Sequence, residues 1–60
     1  MKPKDLIKLL MAEGFVFVRQ SGSHAIYRKS GKKIIVVPMH SKDIPIGTLK
    51  SILKDAGLSK

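Results

Sequence analysis

A histidine flanked by arginines is the feature of this sequence best suited to chemistry. In the stretch RQSGSHAIYRK, residues 19–29, His24 follows a Gly-Ser pair, and Arg19 and Arg28 lie on either side of it. An imidazole takes up or releases a proton near neutral pH because its model-compound pKa is about 6.5. Guanidinium groups bind phosphate oxygens through paired N–H donors. These residue types together fit the cleavage of a phosphodiester bond.

RNA is the phosphodiester that a site of this kind can cleave with few groups. Its own 2′-hydroxyl is the nucleophile, so internal transesterification requires only a base, an acid and positive charge near the phosphate. We predict that His24 is the base or the acid and that Arg19 and Arg28 hold the phosphate. Ser23 and the backbone of Gly22 can add hydrogen bonds. The alternative for His24 is a structural role, in which its ring caps a strand end by bonding a neighbouring carbonyl.

The second histidine, His40, follows a proline in a segment that we predict to be a loop. It is either an exposed side chain or the complementary acid, so we retain it as an auxiliary candidate. With Asp43 as its nearest carboxylate, it does not form a zinc or magnesium pattern with His24. The chain has no cysteine, no glycine-rich phosphate loop and no acyl-transfer triad. We therefore predict no metal and no cofactor.

The charge distribution points to a polyanionic partner. Twelve lysine and arginine residues against four acidic residues give a net charge of +8, and no acid occurs between Gly14 and Lys42. A field of one sign attracts polyanions, and lysine and arginine supply most of the sequence-independent affinity for nucleic acid. We predict RNA contacts by Lys29, Lys32 and Lys33 in addition to the arginines. A solvated surface, or a patch for an acidic protein, remains an alternative.

The order of elements predicted around these residues is helix, three strands, helix. Apolar residues at three-to-four spacing after Pro3 (Leu6, Ile7, Leu9, Leu10, Met11) indicate a helix over residues 3–13, with Lys4 and Lys8 on its exposed side. Strands are predicted over residues 15–20, 23–29 and 32–38, separated by turns at Ser21-Gly22 and Ser30-Gly31. After a loop from Met39 to Ile44, a second helix is predicted from Pro45 to Gly57, with its apolar face formed by Ile46, Leu49, Ile52, Leu53 and Ala56.

These elements predict an α+β fold in which two helices cover one face of a three-stranded antiparallel sheet. Two-residue turns would place Arg19 opposite His24, Lys29 opposite Lys32, and His24 opposite Val37. One face would then carry Phe15, Phe17, Arg19, His24, Ile26, Arg28, Ile35 and Val37, and the other would carry Val16, Val18, Ala25, Tyr27, Ile34 and Val36. We expect the helices to cover the first face because it holds both phenylalanines, unless a bulge at Gly22 alters the register.

Several short motifs in this order resemble the HicA (YcfA-like) family of toxin mRNA interferases. They are Gly14-Phe15, Arg19, Gly22-Ser23-His24, Val37-Pro38-x-His40, Gly47-Thr48-Leu49 and Ile52-Leu53, and together they extend over nearly the whole chain. The resemblance implies a double-stranded-RNA-binding-domain-like fold and a toxin that cleaves mRNA and arrests translation. It also implies that His24 is the catalytic histidine and that a HicB-type antitoxin neutralises the toxin, with operator DNA bound only through the antitoxin complex.

The remaining expectations concern organisation and alternatives. A chain of 60 residues has room for one domain, since it buries only about 60% of the surface that its unfolded form exposes. We expect residues 1–60 to form a single HicA-like toxin domain that is cytoplasmic and not attached to a membrane. The main alternative function is a non-catalytic double-stranded-RNA-binding module, although such modules contact about 16 base pairs and are usually longer.

Overall fold

The structure, a computed structural model, describes residues 1–40 and 42–58. Its elements are α1 (Pro3–Ala12), β1 (Val16–Ser21), β2 (His24–Arg28), β3 (Ile35–Pro38) and α2 (Ile46–Ala56). The three strands form one antiparallel sheet in the order β1-β2-β3. This arrangement confirms the predicted α+β class and the predicted order of elements.

The first helix begins at Pro3, whose missing N–H costs nothing in the first turn of a helix. It ends before Gly14, where φ is +98°. Its buried stripe is narrower than the sequence predicted. Leu6 and Leu10 are fully buried, whereas Leu9 and Met11, which we placed on the apolar face, are exposed.

The second helix begins after Pro45 and ends at Gly57, which adopts the left-handed conformation common at helix C-termini. Ile52 and Ala56 are buried in the core, and Leu49 and Leu53 pack against it. Ile46 was predicted on the apolar face, but it is 69% exposed. It occupies the first position of α2.

Gly47, inside α2, and Gly57, directly after its last residue, give a stability test with effects of opposite sign. Gly57 has φ +78°, so alanine there should lower the free energy of unfolding by about 1–2 kcal/mol. Gly47 lies inside α2 outside the left-handed region, and a Cβ would meet nothing within 4 Å, so alanine there should raise the same quantity by about 0.4–1 kcal/mol. Urea denaturation of both variants measures this. Shifts in the same direction would contradict the assigned end of the helix.

The turn between β1 and β2 lies one residue later than predicted. Gly22 and Ser23 form it, so Ser21 pairs with His24, and Arg19 pairs with Ile26 rather than with His24. Gly22 has φ +58°, as is usual for a glycine at the first central position of a two-residue hairpin turn. The register then shifts between Phe17 and Arg19, so the bulge occurs within β1 and not at Gly22.

The predicted pairing of β2 with β3 is wrong by one residue, whereas the predicted partner of Arg19 on β2 was wrong by two. A turn does form at Ser30-Gly31, where the Lys32 N–H donates to the Lys29 carbonyl at 3.1 Å. However, β3 begins only at Ile35, so Lys29 and Lys32 are not a strand pair. His24 pairs with Pro38 instead of Val37.

The bulge within β1 and the one-residue change between β2 and β3 determine which side chains lie on the side of the sheet that the helices cover. The covered face carries Ala25, Tyr27, Ile35 and Val37, all of which are buried. Arg19, His24, Ile26 and Arg28 do share a face, as predicted, but it is the opposite one, together with Val16 and Val36. We call this second surface the open face. The phenylalanines did indicate the covered side, because Phe15 is buried ahead of β1 and Phe17 pairs with the buried Tyr27, although Phe17 itself is 54% exposed. The error was to group the arginines and His24 with them.

Candidate functional site

His24 is the first residue of β2 and lies on the open face at one end of the sheet. The Gly22-Ser23 turn brings the chain directly into this position, and the flanking strands place Ser21 on one side and Pro38 on the other. The residue is exposed. An imidazole held at a strand end and open to solvent can reach a substrate lying across the sheet.

Arg19 and Arg28 lie on the same face as His24 at different separations. Arg19 pairs with Ile26, which is two residues along β2, so Arg19 and His24 are diagonal neighbours with a Cα separation of about 7–8 Å. Arg28 is four residues along the same strand, about 13 Å away at 3.3 Å per residue. Both guanidinium groups are exposed. Arg19 can reach a phosphate bound at His24, whereas Arg28 can reach only a more distant phosphate of the same nucleic acid.

The loop after β3 brings His40 and Ser23 to the same end of the sheet. The Met39 N–H donates to the Ser23 carbonyl at 2.7 Å, which ties the start of this loop to the turn ahead of His24. His40 is the next residue and is exposed. The structure therefore places both histidines near the Gly22-Ser23 turn. Residue 41 of the predicted loop lies outside the described residues.

The three predicted RNA-binding lysines lie at the other end of the sheet. Lys29 donates from its ammonium to the Glu13 carbonyl at the end of α1, and its Nζ lies 5.9 Å from the centre of the Phe15 ring. This side chain is half-buried and closes the C-terminal end of α1, where a cation is favoured. Phosphate contact by Lys29 stays a prediction. Its ammonium group already donates to the Glu13 carbonyl.

Lys32 and Lys33 have their ammonium groups near the C-terminal end of α2. The Lys32 Nζ lies 2.8 Å from where a Cβ on Gly57 would be, and the Lys33 Nζ is 3.9 Å from an Asp55 carboxylate oxygen. The Lys33 side chain is 79% exposed, so this ion pair contributes at most about 1 kcal/mol. Both ammonium groups are far from His24, because the full length of β2 lies between them.

The single tyrosine belongs to the core. Tyr27 is buried and meets the Phe17 ring edge-on, with centroids 5.6 Å apart and planes at 66°. Packing therefore accounts for the position of this ring. Phe17 is the aromatic side chain that stays accessible.

The sequence reasoning missed that apolar side chains surround the arginines on the open face. Ile26 lies between Arg19 on β1 and Val36 on β3, whereas Val16 pairs with Arg28. Val16 and Val36 are exposed. The alternation of β2 contains this signal, but the register of both neighbours was required to use it. Among the described residues, no group of three or more histidine, aspartate or glutamate side chains is placed to hold a metal ion.

The fold and the site define a small basic α+β protein with an exposed histidine and arginines on an uncovered sheet face. A family model described as the HicA toxin of bacterial toxin-antitoxin systems matches residues 3–58. The chain belongs to this family and is a toxin of that class. A search of the curated proteins gives no match. In the described part of the chain, no helix is long and apolar enough to cross a membrane.

Proposed function

We propose that this toxin is an endoribonuclease that cleaves mRNA and thereby arrests translation, acting as one HicA-like domain. The observation that carries the proposal is the placement of His24, exposed at the end of the open face with Arg19 as its diagonal neighbour. Membership of a toxin family supports it, as does the net charge of +8. RNA is the substrate that requires the fewest protein groups at such a site, because its 2′-hydroxyl is the nucleophile.

The proposed reaction is transesterification within the RNA strand. The 2′-oxygen attacks the neighbouring phosphorus, the bond from phosphorus to the 5′-oxygen breaks, and a 2′,3′-cyclic phosphate forms. One proton leaves the 2′-hydroxyl and another must reach the departing 5′-oxygen. His24 supplies one of these transfers, and His40 is the auxiliary candidate for the other. Arg19 stabilises the charge that develops on the phosphate, with Ser23 as a further hydrogen-bond donor.

A cleavage assay on a defined mRNA in the presence of EDTA tests this function. The expected result is cut RNA with 2′,3′-cyclic phosphate ends, because no step in the proposed reaction requires a metal. Intact RNA together with a retained mobility shift would instead favour a non-catalytic double-stranded-RNA-binding module. Intact RNA without a shift would contradict both.

We further propose that a HicB-type antitoxin binds the open face and covers His24. A toxin of a toxin-antitoxin system has an antitoxin partner, and this face combines exposed apolar side chains with cationic groups at its border. Val16, Ile26 and Val36 would supply the buried centre of the interface, and Arg19 and Arg28 its charged rim. An acidic surface on the partner would complete the match.

Replacing Val36 by glutamate should weaken antitoxin binding by at least about tenfold, because a carboxylate would be buried in the apolar centre. Val36 is 43% exposed in the free toxin, so the fold should tolerate the change. Ile46→Glu, at an exposed position on α2, is the matched control and should bind normally. Titration calorimetry with the antitoxin measures both. Equal affinities for the two variants would place the interface elsewhere.

A further inference from the structure

A pocket of about 300 Å³ lies at the same end of the sheet as His24. It is lined by Lys2, Pro3, Lys4, Met39 and Lys42. Met39 connects the pocket to the candidate site, because its N–H donates to the carbonyl of Ser23, the residue immediately before His24. Pro38, the strand partner of His24, is the residue immediately before Met39. One wall of the pocket is therefore joined, by a hydrogen bond and by the chain itself, to the residues beside the histidine.

The lining of this pocket combines three cations with an apolar floor. Lys2, Lys4 and Lys42 supply the charge, whereas Pro3 is buried and Met39 half-buried between them. None of the residues that line it is acidic. A volume of about 300 Å³ is at the lower end of the range for small-molecule sites. Lysine ammonium groups attract phosphate, and a methionine thioether makes favourable contacts with aromatic rings.

The backbone around the pocket is held in place by hydrogen bonds. The Lys2 carbonyl accepts from the N–H groups of Asp5 and Leu6, at 3.0 and 3.1 Å. The Ile44 N–H donates to the Met1 carbonyl at 2.8 Å, which joins the segment carrying Lys42 to the segment carrying Lys2. These hydrogen bonds thus bring together two stretches that are distant in sequence.

We propose that this pocket binds one nucleotide of the RNA substrate, close to the scissile phosphate at His24. The base would pack on Met39 and Pro3, and its phosphate would lie among the three lysines. Arg19 and His24 lie on the open face, whereas the pocket lies on the helix side of the same end of the sheet. The RNA would therefore cross this end of the sheet beside His40. This inference rests on the proposed endoribonuclease function and assigns it a second binding point on the substrate.

The test removes the pocket charges in a chain that cannot cut its ligand. In a His24→Ala background, Lys2→Gln, Lys4→Gln and Lys42→Gln are combined, and binding of a fluorescent single-stranded RNA is followed by anisotropy across a salt series. The matched control combines Lys8→Gln, Lys50→Gln and Lys54→Gln, which remove equal charge from exposed positions outside the pocket. The pocket variant should bind at least about tenfold more weakly, and its salt slope should fall by about 0.7 for each phosphate that is no longer neutralised.

RNAs with a single abasic nucleotide, moved along the strand, test whether a base enters the pocket. Removal of the base at one position beside the cleavage site should weaken binding to the His24→Ala chain. The same change should weaken binding to the pocket variant less, because that variant keeps Met39 and Pro3 but holds the neighbouring phosphate more weakly. Equal decreases in affinity for the pocket and control variants, or no position that responds, would overturn the pocket while leaving the endoribonuclease intact. Absence of RNA binding by every chain, with no cleavage by the unmodified protein, would overturn both.

Discussion

Replacing His24 by alanine should lower the rate of RNA cleavage by at least about 10²–10⁴-fold, the contribution of one well-positioned proton-transfer group. The residue is exposed, so its removal leaves no cavity in the core and the fold should persist. RNA affinity should change little, since the arginines and lysines that attract phosphate remain. Single-turnover cleavage, binding by anisotropy and thermal unfolding measure the three quantities separately.

Two comparisons distinguish a chemical role for His24 from a structural one. Imidazole added to the buffer should restore part of the activity of His24→Ala, because the open face leaves the vacated position accessible to solvent. His40→Ala, at the same end of the sheet, should reduce the rate less than His24→Ala if His40 is only auxiliary. Undiminished cleavage by His24→Ala would remove the histidine from the mechanism. Loss of activity together with a lower unfolding temperature would indicate the structural alternative.

Replacing Leu6 by alanine should lower the free energy of unfolding by about 2–5 kcal/mol, because it leaves a cavity under the sheet. Leu6 has no exposed surface and lies in the core with Leu10. A chain of 60 residues has a total stability of about 3–9 kcal/mol at the usual 0.05–0.15 kcal/mol per residue. The variant should therefore be partly or wholly unfolded at room temperature.

Leu9→Ala is the control for this substitution, since it removes the same atoms from the same helix. Leu9 is 41% exposed, so its replacement should cost less than about 1.5 kcal/mol. Urea denaturation followed by circular dichroism compares the two. Similar decreases in stability would mean that α1 is rotated about its axis so that Leu9 also faces the core, and the pocket at its first turn would then have different walls.

Local patterns predicted the elements of the fold but not the way in which the strands pair. The spacing of leucines, the run of β-branched residues before Gln20 and the glycines at the turns identified all five elements. Pairing depends on single residues, and the bulge within β1 and the late start of β3 each shift it by one. A shift of one residue moves a side chain to the opposite face. The prediction therefore grouped Arg19, His24 and Arg28 correctly but assigned them to the covered side.

The lysines show the same limit for the candidate site. Lys29, Lys32 and Lys33 stand close to His24 in the chain, yet β2 carries them to the far end of the sheet, where they contact the ends of the helices. Lys2, Lys4 and Lys42 were not predicted to lie together, because they belong to separate segments and meet only through the packing of α1 against the loop after β3. The spacing of residues along the chain does not predict that these lysines lie together.

What the sequence determined by itself is therefore the set of chemical groups and the elements that carry them. It identified the histidine after a Gly-Ser pair, the excess of positive charge, the α+β class and the family, because each depends on residues that are near in the chain or on composition. The tertiary structure decided which sheet face the helices leave open and which lysines accompany the histidine. Both depend on strand register and helix packing, in which contacts between distant residues outweigh local preference.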